Sequence, residues 1–592
     1  MFVGQIFENG LFCIRKIMQD GCYKGVEVIM ISLNLRKIIK NPIIIGVTAF
    51  IFLWITLFVY MDSSMKLDTS PELELINIVK IIPILFFSFM VISYIIFNEN
   101  KKCRIEECIL VNKMGLIREN LSKAAIILAI DFLSAVYILV GTMRYYRMKN
   151  IVDYDFYLYT FKVIAVYVFL LLIVAMFLGM LAAQASKRLT GICLLIMFYF
   201  VFSDTFMQFI LSLFSDNELV SNYLLIFGLF YRCAGMIIDR NYFLTMENIN
   251  IYRMLFWILF CLTIIAVRKF RIKIYSVIYV LLTLSLFILS VRPCGASYNL
   301  FGFYIIDSWH HDSIYYSDFQ SNYVEKNKEL IKSVKKSKTD FKVLSYDMDY
   351  KVSDVLDGKV IVIPDNKCKK SYKFTLYHGY NIKNITNEKG EKLDYVRKGG
   401  DYIEIYNPAG KIEKIKFEYS GFSRFFYSTT QALKLPGGFV YYPIPGWHII
   451  YDGEEQMTEK NYLENKAKFN VKISLKGNYR VISNLNEYKS IGKTQYFKGD
   501  STTLTILRSP YLIEKEYKGV HIVYSRLDRA QDPKYNKEDF KIVLKGLKKY
   551  KNKNIKLFLI DNGGESYNYA NEDSVYGNLI SVADYLETGK MY

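Results

Sequence analysis

The histidines and cysteines of this 592-residue chain lack the spacing of common metal and catalytic sites. A zinc hydrolase of the H-E-x-x-H type places two histidines at i and i+4 on a helix, with a glutamate as general base. No histidine stands in that pattern, and the nine cysteines form no C-x-x-C pair. The sequence therefore predicts no metal site, no disulfide framework and no catalytic residue. The histidines are His310, His311, His378, His448 and His521.

A nucleotide site is also not predicted. Gly492-Lys493-Thr494 has the end of a phosphate-binding loop, but that loop needs a glycine five positions earlier, where this chain has Glu487. Gly399-Gly400 stands between alternating segments and indicates a hairpin turn. If ATP is used, we expect a partner subunit to bind it, and we expect no cofactor in this chain.

Asp131 is the one acid in the middle of a long apolar run, AAIILAIDFLSAVY. A carboxyl group at that depth in a membrane is costly and usually faces a partner or a wet cavity. One interpretation places Asp131 on a transport path. The other is an interhelical hydrogen bond that holds a bundle or a dimer together, and the sequence does not choose between them.

A second charged segment is predicted to lie in an inner loop, 98–123. It contains KKCRIEECILVNKMGLIRENLSK, with Glu106 and Glu107 between basic residues and with Arg118 leading back to the bilayer. Clustered charges of both signs suit docking to another protein. The simpler interpretation is an ordinary basic inner loop.

Seven apolar runs are the elements that would position these groups, and each is about long enough to cross a bilayer, the fifth only marginally. Basic residues favour the inner segments by roughly two to one, counted from a cytoplasmic N-terminus. The runs are Ile43–Tyr60, Ile81–Phe97, Ala124–Val140, Val163–Ala183, Leu189–Ser203, Ile251–Val267 and Ile274–Val291.

The second half of the chain has a different pattern. From Phe341 onward, short alternating runs such as FKVLSYDMDYKV and GKVIVIP are separated by turn residues, which is typical of antiparallel strands. The predicted fold class is a helical transmembrane bundle of about six or seven spans, followed by an extracellular, mostly antiparallel β-sandwich with a short α/β piece at its end.

Predicted boundaries follow from these patterns. A cytoplasmic tail with an interfacial helix covers 1–42, the membrane domain 43–292, a stalk 293–340 and the β-sandwich 341–530, and a degenerate or truncated α/β region begins at 531.

The chain carries a net charge of +19, but its basic residues are interleaved with acids and form no concentrated stripe. We therefore expect a lipid bilayer as a partner and no nucleic acid.

The membrane half resembles the membrane subunit of ABC-type exporters. The resemblance covers about 31–270 and rests on the span layout and on the acidic pair in 98–123. It implies that Glu106, Glu107 and Arg118 touch a separate ATP-binding cassette ATPase. It also implies a second copy or a paired permease, because six or seven spans make half a transporter.

The β half, at about 341–525, resembles the N-terminal β-domain of the H-E-x-x-H zinc aminopeptidases. The resemblance rests on the order of its segments, among them GGFVYYPIPGWH and the strand end Ser483-Asn484-Leu485. In that family a catalytic domain follows, and Gly577-Asn578-Leu579-Ile580 lies near the place of its substrate-binding segment without the acidic residue. This chain lacks the zinc motif itself.

Together these features favour a multi-pass plasma-membrane subunit of an ABC-type exporter, not an enzyme, with an extracellular peptidase-like β-domain that binds peptide-like substrate. The alternatives are a membrane-anchored metallopeptidase whose catalytic part lies in other sequence, and a surface sensor that transports nothing. An adjacent ATPase reading frame would favour the first interpretation, and a continuing H-E-x-x-H frame the second.

The orientation gives the first testable prediction. Residues after Arg292 should lie outside the cell, because the basic cluster at 268–273 precedes the last span. A Ser313→Cys variant should therefore react with a membrane-impermeant thiol reagent in intact cells. Reaction only after the membrane is opened would reverse the predicted orientation.

Overall fold

A computed structural model gives the fold of most of the chain. The chain divides into two compact units, which are described separately. The helical unit is formed by Met1–Phe209, Ile226–Tyr231 and Asn250–Ser290, and the β unit by Ile210–Leu225, Arg232–Ile249 and Val291–Tyr592. The residues that the structure describes are 24–61, 71–102, 115–148, 154–185, 187–203, 205–206, 209–210, 223–230, 247–270, 273–292, 328–335, 339–408, 410–423, 426–450, 463–475, 480–509, 512–517, 520–525, 557–561, 574–576 and 579–583.

Long apolar helices build the helical unit. π-helical turns at Thr56–Met61 and Ile164–Leu170 directly follow two of these helices, and a 3-10 turn lies at Leu225–Phe227. The helices are α1 Lys24–Lys40, α2 Pro42–Ile55, α3 Pro71–Lys102, α4 Gly115–Met148, α5 Tyr154–Val163, α6 Leu171–Ala182, α7 Arg188–Phe202, α8 Asn248–Phe270 and α9 Lys273–Ser290.

A helix forms at each of the seven predicted apolar runs, but only five described helices are long and apolar enough to cross a bilayer. Helix α7 has 15 residues, about 22 Å at 1.5 Å per residue, which is shorter than the ~30 Å hydrocarbon layer. The described apolar part of α9, Val277–Ser290, is also short. Of the expected six or seven spans, five are long and apolar enough among the described residues.

Helix α4 begins earlier than its apolar run predicts. It spans 34 residues from Gly115, so Arg118 and Lys123 lie inside the helix and not in a loop. Glu119 and Lys123 are one helical turn apart, and their side chains form an ion pair of 3.3 Å that supports this extension. Within the predicted inner loop, the structure describes helix up to Lys102 and again from Gly115.

The outer surface of the helical unit is unusually apolar. Large aliphatic and aromatic side chains point away from its interior on several helices, where a water-soluble protein would place charges. Such a surface is suited to hydrocarbon. The exposed side chains include Ile43, Ile45, Phe50, Leu53, Leu57, Phe132, Leu133, Val140, Leu189, Ile196, Phe200, Val277, Leu281, Leu284 and Ile288.

The β unit contains a short helix, α10 Lys328–Lys335, which is followed by strands. The strands are β1 Val343–Val352, β2 Leu356–Pro364, β3 Ser371–Thr375, β4 Tyr380–Thr386, β5 Tyr395–Lys398, β6 Tyr402–Tyr406, β7 Ile415–Gly421, β8 Leu433–Leu435, β9 Ile444–Pro445, β10 Ala467–Leu475, β11 Ile482–Ser483, β12 Asn486–Ile491, β13 Thr494–Ser501 and β14 Ile506–Arg508. They form a seven-stranded sheet with the order β12-β13-β10-β1-β2-β7-β4, a four-stranded sheet β5-β6-β3-β9 and a three-stranded sheet β11-β14-β8.

Alternation along the strands produces one shared core. In β10 every second residue from Ala467 to Leu475 is buried, as a half-buried strand requires. All three sheets contribute buried residues to one hydrophobic cluster, whereas Ile482 of β11 and Leu507 of β14 belong to a second, small cluster. The prediction of β-rich structure with antiparallel pairing is confirmed, with one difference: β1 and β10, at the centre of the largest sheet, pair in parallel.

The predicted hairpin turn is confirmed, and the segment that resembles a phosphate-binding loop is also a turn. Gly399 and Gly400 connect β5 to β6 with φ values of 55° and 78°, which glycine adopts without strain. Gly492-Lys493 connects β12 to β13, so this segment is a hairpin turn and not a phosphate-binding loop.

A separate mixed sheet, β15-β16-β17-β19-β18, follows the core. Its strands are β15 Leu512–Tyr517, β16 Val520–Ser525, β17 Leu557–Asp561, β18 Ser574–Tyr576 and β19 Leu579–Ala583. Strands β16, β17 and β19 pair in parallel, and the outer two pair antiparallel. Strand β17 lies in the predicted α/β region that begins at 531. Gly577 and Asn578 lie outside the described residues.

Close packing of α3 against α6 gives a prediction on stability. A Cβ at Gly179 would lie 2.4 Å from the carbonyl oxygen of Met90 and 2.7 Å from Cβ of Ser93, whereas a Cβ at Gly46 meets nothing within 4 Å. Gly179→Ala should therefore lower the unfolding free energy by about 1–3 kcal/mol through overpacking.

Gly46→Ala is the matched control, since alanine favours a helix by up to ~1 kcal/mol and has room there. Thermal unfolding of both variants in detergent measures the difference. Equal melting temperatures for the two variants would contradict this packing.

Candidate functional site

Asp131 lies near the middle of α4, 16 residues after Gly115 and 17 before Met148. Asp131 is buried, with 1% of its surface exposed to solvent. Neither carboxyl oxygen has a hydrogen-bond partner among the described residues. The interhelical hydrogen bond that the sequence left open is therefore not formed with any part of the chain that the structure describes.

Two buried hydroxyl groups on α4 donate to carbonyl oxygens of their own helix. The hydroxyl of Ser134 donates to the carbonyl oxygen of Ile130, and that of Thr142 to Ile138, each at 2.9 Å. A hydroxyl can do this because it carries a donor, whereas an ionised carboxylate has only acceptors. The carboxylate form of Asp131 therefore cannot bond to its own helix in this way.

A second buried polar group on α4 was not predicted. The amide nitrogen of Asn34, in α1, donates to Oε2 of Glu119 at 3.0 Å and to the hydroxyl of Ser122 at 2.5 Å. Oε1 of Glu119 faces Nζ of Lys123 at 3.3 Å. All four residues are at most 5% exposed. This paired cluster, named here the Asn34–Lys123 cluster, holds α1 against α4.

Sequence signals for this cluster existed. Glu119 and Lys123 have the i,i+4 spacing of a helical ion pair. Asn34 interrupts the apolar stripe that predicts an interfacial helix in α1, because it lies between Leu33 and Leu35. The sequence alone could not pair Asn34 with residues 85 and 88 positions away.

The predicted ATPase-docking residues are only partly described. Glu106 and Glu107 lie outside the described residues. Arg118 lies in the first turn of α4 and is partly exposed. The assignment of these three residues to partner docking stays a prediction.

Each described histidine of the β unit has a ring nitrogen within hydrogen-bond distance of another residue of that unit. Nδ1 of His378 lies 2.9 Å from Oδ1 of Asp401, and Nδ1 of His521 lies 2.5 Å from Oε1 of Glu514. Among the described residues, no three His, Cys, Asp or Glu side chains are grouped to hold a metal ion. His310 and His311 lie outside that part of the chain.

His448 is held in a small recess. Its Nε2 donates to the carbonyl oxygen of Pro445 at 2.8 Å, and its backbone N–H donates to the hydroxyl of Thr375 at 2.9 Å. Phe341, Ile444 and other residues line a cavity of about 20 Å³ beside it. That volume holds about one water molecule and is too small for a substrate.

The aromatic segment that carried the aminopeptidase resemblance is part of the core. The hydroxyl of Tyr346 donates to the carbonyl oxygen of Pro443 at 2.9 Å, and that of Tyr441 donates to Leu504 at 2.7 Å. Trp447 donates its indole N–H to the carbonyl oxygen of Ile403 at 3.3 Å. These contacts indicate a structural role for this segment.

Comparison with solved structures finds peptidase-like chains, the class that the strand order of the β half resembles. The native yeast LTA4 hydrolase matches with a TM-score of 0.28 and 12% identity, over 42% of this chain and 41% of that chain. An M1 zinc metallopeptidase from Deinococcus radiodurans matches with a TM-score of 0.23 and 11% identity, over 32% of this chain and 48% of that chain.

The chain thus covers less than half of the length of either structure. No protein-family model matches the chain, and no curated protein matches it. The resemblance of the membrane half to ABC-type permeases stays a prediction.

Burial of His448 gives a prediction on acid stability. Burial is the main cause that lowers the pKa of this imidazole below its usual value near 6.5. The unfolded chain then binds the proton more readily, so the unfolding free energy should fall as pH drops below about 6.5.

A His448→Gln variant removes this titration and retains a hydrogen-bond donor. Its unfolding free energy, measured by denaturant titration at several pH values between neutral and the lower pKa, should depend less on pH than that of the parent protein. An unchanged pH dependence would show that His448 does not set acid stability.

Proposed function

We propose that this chain is the membrane-spanning permease subunit of an ABC-type exporter that works with a separate ATPase subunit. The observation that carries the proposal is Asp131, an isolated carboxyl group buried inside a helical unit with an apolar exterior. Ionisable groups placed inside membrane helices are rare because they are costly, and they usually mark the path of an ion or substrate.

The apolar exterior supports a position in the lipid bilayer. Five helices are long and apolar enough to cross it, and their exposed aliphatic side chains would be in contact with hydrocarbon. Small residues at helix contacts, such as Gly179 against α3, allow the close approach that is typical of membrane bundles. The proposed location is the plasma membrane, with a cytoplasmic N-terminus.

The energy source is proposed to be a partner. The only phosphate-loop-like segment in the sequence is the β12–β13 turn, so ATP would be hydrolysed by an ATPase docked on Glu106, Glu107 and Arg118. Two copies of the chain would complete the transporter. The β unit would lie outside the cell and hold a peptide-like substrate through its sheets, without cleaving it.

The docking residues are tested by reversing their charge. Glu106→Lys combined with Glu107→Lys should weaken association with the ATPase and leave membrane insertion intact, since no apolar helix is changed. The loss should be largest at low salt, because exposed charge pairs are screened within ~8 Å at physiological ionic strength. Co-purification with the ATPase at two salt concentrations measures it.

Glu464→Lys combined with Asp500→Lys is the matched control. Both residues are exposed on the β unit, and the net charge changes by the same amount. The docking role is refuted if both double variants recover equal amounts of ATPase. If no ATPase is recovered even with the parent protein, the surface-sensor interpretation replaces the transporter.

The enzymatic alternative has its own test. The full chain with added zinc should not hydrolyse aminoacyl substrates, because its sequence has no histidine pair at ligand spacing. Turnover that depends on zinc, is abolished by a chelator and follows this polypeptide through purification would instead establish a peptidase.

A further inference from the structure

We propose that Asp131 is a proton-binding site, whose carboxyl group carries a proton in the resting protein and gives it up only when another cation reaches it. The inference concerns the residue on which the proposed function rests, and it adds the chemical class of the ligand. It depends on the geometry of the helical unit and not on the identity of an ATPase.

The two buried acids of α4 have different surroundings. Glu119 is 5% exposed, but one oxygen faces Nζ of Lys123 at 3.3 Å and the other accepts from Asn34 at 3.0 Å. Asp131 is 1% exposed, and among the described residues neither of its oxygens has a donor. The same helix therefore provides a compensated carboxylate and an uncompensated one.

No charged side chain among the described residues compensates Asp131, and burial is the only influence on its carboxyl group there. Tyrosines on the elements packed against α4 bond elsewhere: Tyr60 donates to the carbonyl oxygen of Tyr137, and Tyr94 to that of Arg188. Charged residues on those elements lie towards helix ends, and they are Lys24, Glu27, Arg36, Lys37 and Lys40 in α1, Glu72, Glu74, Lys80, Glu99, Lys101 and Lys102 in α3, and Asp155 and Lys162 in α5.

An isolated carboxylate in an apolar interior is strongly unfavourable, and such a group usually takes up a proton instead. The protonated form has no net charge and needs only a weak partner. The same argument fixes what can displace the proton. A neutral ligand would leave the carboxylate uncompensated, so the proton leaves to water as its O–H bond breaks and one monovalent cation takes its place. The net charge of the site is then unchanged.

Infrared difference spectroscopy tests the protonation state directly. The spectrum of the full chain in lipid vesicles at neutral pH, minus that of an Asp131→Asn variant, should contain the carbonyl stretch of a protonated carboxyl group. That band should shift in deuterated water. Carboxylate bands in its place would overturn the proposal. Asparagine has nearly the same shape as aspartate, so the fold should be retained.

Dicyclohexylcarbodiimide provides an independent test, because it reacts with protonated carboxyl groups in apolar surroundings. Mass spectrometry should find the adduct on Asp131 and not on Glu119, which is similarly buried but paired. A Lys123→Met variant should add Glu119 to the labelled residues. Labelling of Glu119 but not Asp131 in the parent protein would overturn the proposal.

The two proposals can fail separately. If the infrared band is present but transport by the Asp131→Asn variant equals that of the parent, the proton site stands and the transport role of this residue fails. If transport is lost but the difference spectrum contains only carboxylate bands, the proton site fails and the transport path stands.

Discussion

Polar groups inside an apolar interior must be either paired or neutral, and this constraint explains much of the helical unit. Buried hydroxyls on α4, such as those of Ser134 and Thr142, donate to carbonyl oxygens of the preceding turn. The carboxyl group of Glu119 is paired with Lys123 and accepts a hydrogen bond from Asn34. Breaking such a buried pair is costly because a charge is left uncompensated. Asp131 has no comparable partner among the described residues, so it is the group for which function is the best explanation.

The same constraint applies in the core of the β unit, where many buried positions are occupied by tyrosine. The ring of Tyr419 packs among other aromatic side chains, and its hydroxyl donates to the carbonyl oxygen of Tyr441 at 2.9 Å. Burial raises the pKa of Tyr346 and Tyr419, since ionisation would place a charge in the core. These hydroxyls satisfy backbone groups and are not arranged for chemistry.

Periodic patterns in the sequence predicted most of the secondary structure. Long apolar runs gave the helices, and alternation with glycine turns gave strands such as β1 and β10 and the hairpin at Gly399-Gly400. Parallel pairing of β1 with β10 was missed because those strands are more than a hundred residues apart, and no local pattern reports on such a pairing. The limits of α7 differ from its predicted run, Leu189–Ser203, by one residue at each end.

Local patterns in the sequence predicted only one part of the candidate site, Asp131, and not the Asn34–Lys123 cluster. Asp131 stands out in the sequence because a charge interrupts an apolar run. The Asn34–Lys123 cluster does not stand out, since its acid and base resemble the ordinary charges of a loop until α1 supplies Asn34. The local sequence thus identifies an unusual residue, whereas the partners of a buried side chain can be identified only from the tertiary structure.

The central claim is that the helical unit moves a cargo across a membrane with energy from a partner ATPase. Its most direct test is to extract the full chain from its native membrane in mild detergent and identify the co-purifying polypeptides by mass spectrometry. The account predicts a nucleotide-binding ATPase in stoichiometric amount. Recovery of the chain without any ATPase, in every detergent that preserves its fold, would contradict it.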